Sequence, residues 1–214
     1  MRKLLTALAT LTGATIAMPA SATVHIDFLQ GTAVSSLAGY TVIDDFDTTA
    51  GITGSHFQIQ SNSDGYGAII PLSDSQGTDY LTVMAGGTAN IALPGSTGGF
   101  AFEWGSLDTY NKLTIDLGDG GTMVLIPHQG DLVGSPGNGN QINANTNGTL
   151  LVYGDAGETF TGLKLQSSGN SFEIDNLAVQ SGVPEASTWA MMIVGLGAVG
   201  MGMRRKRNVA VSFA

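Results

Sequence analysis

The residues of this chain that could do chemistry are few and scattered. Three histidines, His25, His56 and His128, stand alone in strand-like or turn contexts. No G-x-S-x-G elbow accompanies them, so the arrangement that arms a serine nucleophile is missing. Cysteine is absent, which excludes disulfides, thiolate nucleophiles and thiolate metal sites. No two histidines share a close spacing, which disfavours zinc. Carboxylates remain, and a pair of them can cleave a glycosidic bond from its two sides. The available partners are Glu103 with Asp108 or Glu173. Glu103 alternates with Phe102 and Trp104, however, and a period of two turns it away from an aromatic core. The sequence therefore predicts an exposed and chemically ordinary Glu103.

Calcium is the metal that suits an acidic, cysteine-free chain, because it takes several carboxylate and carbonyl oxygens. Asp44, Asp45 and Asp47 lie near one end of the body, and Asp175 and Asn176 near the other. Pairing of the first and last strands would bring them together, with Asp45, Asp47 and Asp175 as candidate ligands of a structural calcium. No EF-hand loop is present, and the other reading is solvated acids that keep the protein soluble. No other cofactor is implied. Tyr66, Tyr80, Tyr110 and Tyr153 could form a platform for stacking sugars.

Charge narrows the partners. Between Thr23 and Gly182 sixteen acidic residues face only Lys112 and Lys164, a net charge of −14. That surface has no basic patch and excludes nucleic acid. The other six basic residues sit at the two ends.

The elements that must position these groups read as strands. Apolar residues alternate over short runs broken by Gly, Asn, Asp and Ser, and no helical stripe persists. Phe100, Phe102 and Trp104 share one face. Leu113, Ile115 and Leu117 alternate with polar residues before the Gly118–Gly121 turn into a hairpin partner. The expectation is an all-β body over residues 23–182, an antiparallel β-sandwich or jelly roll of about 160 residues. The Asn- and Gly-rich segment Gly134–Gly148 reads as a long exposed loop. In the last strand, Phe172 and Ile174 share one parity while Leu177 and Val179 share the other. One extra residue near Asp175-Asn176, a β-bulge, would put all four on the core side. A strand buried on both faces would also fit.

The two ends read as addresses. Residues 1–22 hold Arg2 and Lys3, an apolar run from Leu4 to Met18, and Ala20-Ser21-Ala22. That is the pattern of a signal peptide cut after Ala22 by signal peptidase, with Ala20 and Ala22 at the cleavage site. Residues 183–207 hold Pro184-Glu185, then Trp189-Ala190, an apolar glycine-rich run, and Arg204, Arg205, Lys206 and Arg207. The 18 uncharged residues from Ala186 to Met203 are just enough for a transmembrane helix. Trp189 suits one interface, and the four cations orient the other end toward the cytoplasm. The body would then lie outside the inner membrane, with residues 208–214 as a short tail. Gly195, Gly197 and Gly200 match a dinucleotide fingerprint, but no βαβ unit surrounds them. In an apolar span they read as small residues that permit close helix approach.

The order of Pro184-Glu185, Trp189-Ala190-Met191, glycine-rich run and arginine cluster resembles the PEP-CTERM protein-sorting tail. It departs from that family at Ala186, where members carry a second proline. The resemblance implies an exosortase-type membrane enzyme as processing partner, and a bearer released or attached at the surface of exopolysaccharide-making Gram-negative bacteria. Ile43–Asp47, Gly99–Asn111 and Ser167–Val179 also resemble segments of exosortase-dependent surface proteins. That likeness implies surface placement and a β-sandwich, and no activity.

Three classes of function follow. The favoured one is a non-enzymatic surface or matrix protein, sorted by its tail and associated with exopolysaccharide. The second is a carbohydrate-binding module, which needs exposed aromatic rings. The third is a glycan-active hydrolase, which needs two carboxylates facing across a cleft.

Overall fold

A computed structural model describes residues 23–72, 74–127, 132, 137–155, 157–181 and 186–204. The signal segment 1–22, His128, Pro184, Glu185 and residues 205–214 lie outside the described residues. So does the sorting set in large part: Arg205, Lys206 and Arg207 are not described, and nothing is said of the side chains of Trp189, Ala190 and Arg204.

Among the described residues nine strands run along the body: β1 Val24–Gln30, β2 Tyr40–Asp44, β3 Ile52–Gln60, β4 Tyr80–Gly105, β5 Asn111–Leu117, β6 Thr122–Leu125, β7 Gly148–Gly154, β8 Phe160–Ser167 and β9 Phe172–Ser181. Every strand pairing is antiparallel. The long β4 joins two layers. Its first part, through Leu93, pairs with β3 and β8 and, over Leu81–Val83, with the start of β9, and β8 leads on to β5 and β6. Its second part, from Thr97, pairs with β7 and β9, which lead on to β1 and β2. Pro94 marks the passage between the parts. Proline cannot donate to a ladder, and its carbonyl accepts the Thr97 hydroxyl at 2.6 Å.

The inner faces close on one core. Phe100, Phe102 and Trp104 are fully buried, as their alternation predicts. Phe100 meets Phe160 edge-on at 5.4 Å, and Trp104 stacks on Phe172 at 4.4 Å. Leu113, Ile115, Leu163 and Leu165 supply the facing layer. Burial of this much aromatic and aliphatic area, at about 25 cal/mol per Å², is the dominant stabilising term.

The last strand contains the expected bulge. Ala101 pairs with Ala178 and Glu103 with Asp175, so two steps along β4 match three along β9. Asn176 takes up the extra residue at φ 52°, a left-handed conformation that Asn tolerates better than most side chains. Ile174 and Leu177 are thereby both in the core, and Asp175 and Ala178 both face the other way. That outer face is also covered, so the strand is buried on both sides as well. A 3₁₀ turn, Val34–Ser36, lays Val34 against Ala101 and Ala178. The 61–79 connection buries Ala68, Ile70, Leu72 and Ser75. The Asn-rich loop is exposed over 141–144, but it ends in buried Thr146 and Asn147. Asn147 Nδ2 donates to the carbonyls of Asn140 and Asn143, each at 2.8 Å, and Oδ1 accepts from Ser106 N. Those bonds draw the end of the loop inward.

A helix, α1, covers Ala186–Arg204. It coincides with the segment for which the sequence predicts a membrane span. Among the described residues no helix is long and apolar enough to cross a membrane. Met191, Met192, Ile193, Val194, Leu196 and Val199 are all exposed.

Candidate functional site

The buried outer face overturns the expectation for Glu103. Its carboxylate is fully buried, with Oε1 accepting from Val34 N at 3.0 Å and Oε2 from the Ser75 hydroxyl. Alternation correctly sends Glu103 away from the aromatic core, but that face is roofed by the 3₁₀ turn and the 61–79 connection. Directly opposite on β9 stands Asp175, also fully buried. It accepts from Asn176 N at 2.7 Å and the Thr78 hydroxyl at 3.1 Å. Two positions along β9, Glu173 accepts from Ala68 N at 3.2 Å, the Ser106 hydroxyl at 2.7 Å and the Ser171 hydroxyl.

Three carboxylates thus clip the roof to the sheet, and among the described residues none has a cationic partner. Burial pushes the acid pKa up, because it penalises the charged form. Glu103 and Glu173 rise to about 7 and Asp175 to about 6, with burial the main cause in each. The hydroxyl and N–H donors work against this rise. Asp74 and Asp175 add to it at Glu103, as Asp108 does at Glu173 and Asp45 at Asp175. A fourth clip ties the roof to itself, where Asp74 accepts from Ser35 N at 2.7 Å and its hydroxyl at 2.8 Å.

Two cavities open beside this face and meet at Tyr110. The first, of about 180 Å³, has an almost wholly polar lining that includes Asp64, Asp108, Tyr110, Asn138, Asn170 and Glu173. Asp64 is held below the usual carboxylate range, first by the Gln60 amide and then by Tyr66 N. Asp108 is raised by burial, and the neighbouring Tyr110 hydroxyl opposes the rise. Tyr110 is itself raised, by burial and then by Asp108. The second cavity, of about 370 Å³, is a groove lined by Thr88, Tyr110, Asn111, Lys112, Ile126 and Gln166 among others.

The remaining candidates are dispersed. Asp45 and Asp47 are exposed, while Asp175 is sealed in. Among the described residues no group of three or more His, Asp or Glu side chains is placed to hold a metal ion. The structure therefore does not assemble the calcium set expected from Asp45, Asp47 and Asp175, because the oxygens of Asp175 point into the roof. His25 sits 3.2 Å from Asp155 and stacks on Tyr153, and His56 is exposed at the β3 bulge. The four tyrosines form no common platform. Tyr80 is buried with its hydroxyl donating to Asn62 O at 2.8 Å, Tyr153 lies on His25, Tyr66 is exposed and Tyr110 half-buried. Sequence reasoning misses Ser75, Thr78, Ser106 and Ser171, because isolated hydroxyl residues in loops carry no periodic signal.

The described residues define an all-β sandwich body followed by a single helix. The PEP-CTERM protein-sorting motif matches residues 182–207, so the chain carries that sorting signal. No curated protein matches the sequence. Among solved structures, an exo-β-1,3-galactanase from Phanerochaete chrysosporium is 14% identical at a TM-score of 0.38. That match covers 67% of this chain and 30% of the galactanase, so the chain spans about a third of that protein. The C-terminal family 6 carbohydrate-binding module of a marine laminarinase from Zobellia galactanivorans is 12% identical at a TM-score of 0.36, over 66% of this chain and 98% of the module. A family 11 carbohydrate-binding module from Clostridium thermocellum is 13% identical at 0.36, over 70% of this chain and all of the module. At such scores none of them says what this chain binds.

Proposed function

We propose that the protein is an exported, exosortase-sorted cell-surface or extracellular-matrix protein without catalytic activity, whose body associates with exopolysaccharide. The observation that carries this reading is the sorting motif at 182–207. The precursor loses residues 1–22 to signal peptidase and is held at the inner membrane by its tail, with the body outside. The exposed apolar side chains of α1 support that placement. An exosortase then acts on the tail and passes the body to the surface or the medium.

The carboxylates support a non-catalytic reading. Glu103 and Asp175 are sealed beneath the roof, and Glu173 accepts from three donors. Groups held in this way brace loops.

The test is intact mass spectrometry of the protein from cells and medium of an exosortase-bearing host, with and without its exosortase gene. The expected product begins at Thr23 and lacks the tail only where exosortase is present. Identical masses in both strains overturn the sorting reading.

A further inference from the structure

The groove beside Tyr110 has the chemistry of a binding site. Thr88, Gln166 and Lys112 form one row across β4, β8 and β5, since Thr88 pairs with Gln166 and Gln166 with Lys112. Rows of this kind project their side chains to one face of a sheet. Among the described residues no carboxylate lines the groove, although the body around it is strongly acidic. Lys112 is exposed and, among the described residues, makes no ion pair. Its ammonium is one of only two cations in the body.

A further observation points to a ligand. The Tyr110 ring forms one wall and is held rigidly. Its hydroxyl donates to Asn170 O at 2.5 Å, and a side chain at Gly169 would come within 3.0 Å of the ring. A ring ordered in advance loses little entropy when a ligand stacks on it.

We propose that this groove binds an uncharged saccharide, with a sugar ring against Tyr110 and hydroxyl oxygens accepting from Lys112 and Gln166. A sugar combines an apolar ring face with a rim of hydroxyls, which matches one aromatic wall and several donors. The groove volume of about 370 Å³ lies in the range of small-molecule sites. Charge decides against an acidic glycan. Beyond Tyr110 the chain of such a ligand would meet Asp64, Asp108 and Glu173 in the polar cavity, on a body of net charge −14.

The proposal rests on the exopolysaccharide association above and gives it a place and a ligand class. The test uses the full chain in detergent and calorimetric titration with cellohexaose, laminarihexaose, mannohexaose and a galacturonate hexamer. Saturable binding of at least one neutral hexaose is expected. Gln166→Ala and Tyr110→Ala should each weaken it about tenfold or more, and Tyr110→Phe, which keeps the ring but loses its anchor on Asn170 O, should weaken it less than Tyr110→Ala. Melting temperatures check that each variant is folded. Should Tyr110→Ala prove unfolded, Gln166→Ala and Lys112→Ala on the outer row decide the matter. The proposal fails if no neutral hexaose binds, if only the galacturonate binds, or if the folded groove variants bind as before. A chain cut at its tail that binds no glycan would keep the sorting reading and lose this one.

Discussion

Glu103 on β4 and Asp175 on β9 are direct cross-strand partners, both fully buried, on the face of the sheet that lies away from the aromatic core. Like charges directly opposite each other destabilise a sheet, and burial adds a desolvation cost to each. The arrangement is comfortable only when protons are shared into it. The roof over residues 34–36 and 61–79 therefore depends on the ionisation of the groups it covers.

Stability should fall as pH rises. Glu103 and Glu173 titrate near 7 and Asp175 near 6 in the folded protein, against about 4.3 and 3.9 for unfolded Glu and Asp. Between those values the folded state binds more protons, so its stability declines with pH. The contribution is fully present below about pH 4 and is lost through pH 6–7. Thermal melts from pH 4.5 to 8 should show a falling midpoint. Asp175→Asn should flatten that slope, and a midpoint that rises over the interval would refute the account.

Glu103→Ala should destabilise by about 1–3 kcal/mol for each buried donor it leaves unpaired. Those donors are Val34 N and the Ser75 hydroxyl. Glu103→Gln keeps an acceptor and removes the charge, so it should be milder above pH 7. Limited proteolysis within 61–79 should accelerate in the alanine variant. An exposed, ordinary glutamate would give no change in either measurement.

Trp104→Ala should cost roughly 3–5 kcal/mol as a large-to-small core change. Trp104 is fully buried and stacked on Phe172. Chemical denaturation of the variant measures the loss, and a cost under about 1 kcal/mol would be outside the range for such a site.

Chelation should leave the melting temperature unchanged. Asp175 spends its oxygens on Asn176 N and Thr78, and Asp45 and Asp47 are exposed. A ligand bound only to the native state raises its stability by mass action. A drop in midpoint with a calcium chelator would therefore restore a metal to this protein.

Deleting Trp189–Arg207 should release the body from the membrane fraction with its melting temperature intact. The described side chains of α1 are exposed and contribute nothing to the sandwich core. Loss of the cooperative melt in the deleted chain would show that the helix helps to hold the body.

The sequence by itself determined what depends on near neighbours. Period-two alternation placed Phe100, Phe102 and Trp104 on one face, and a parity change between Ile174 and Leu177 marked the bulge. The order of Pro184-Glu185, apolar run and cations marked the sorting tail, because that signal is read along the chain. Only the tertiary structure decided the state of Glu103, Glu173 and Asp175. Alternation tells which way a side chain points and says nothing of whether that face is covered. The covering groups lie far off in the chain, Val34 at 69 residues from Glu103 and Ala68 at 105 from Glu173. The meeting of the two cavities at Tyr110 likewise needs loops that no local pattern joins, since their approach is set by how two layers pack.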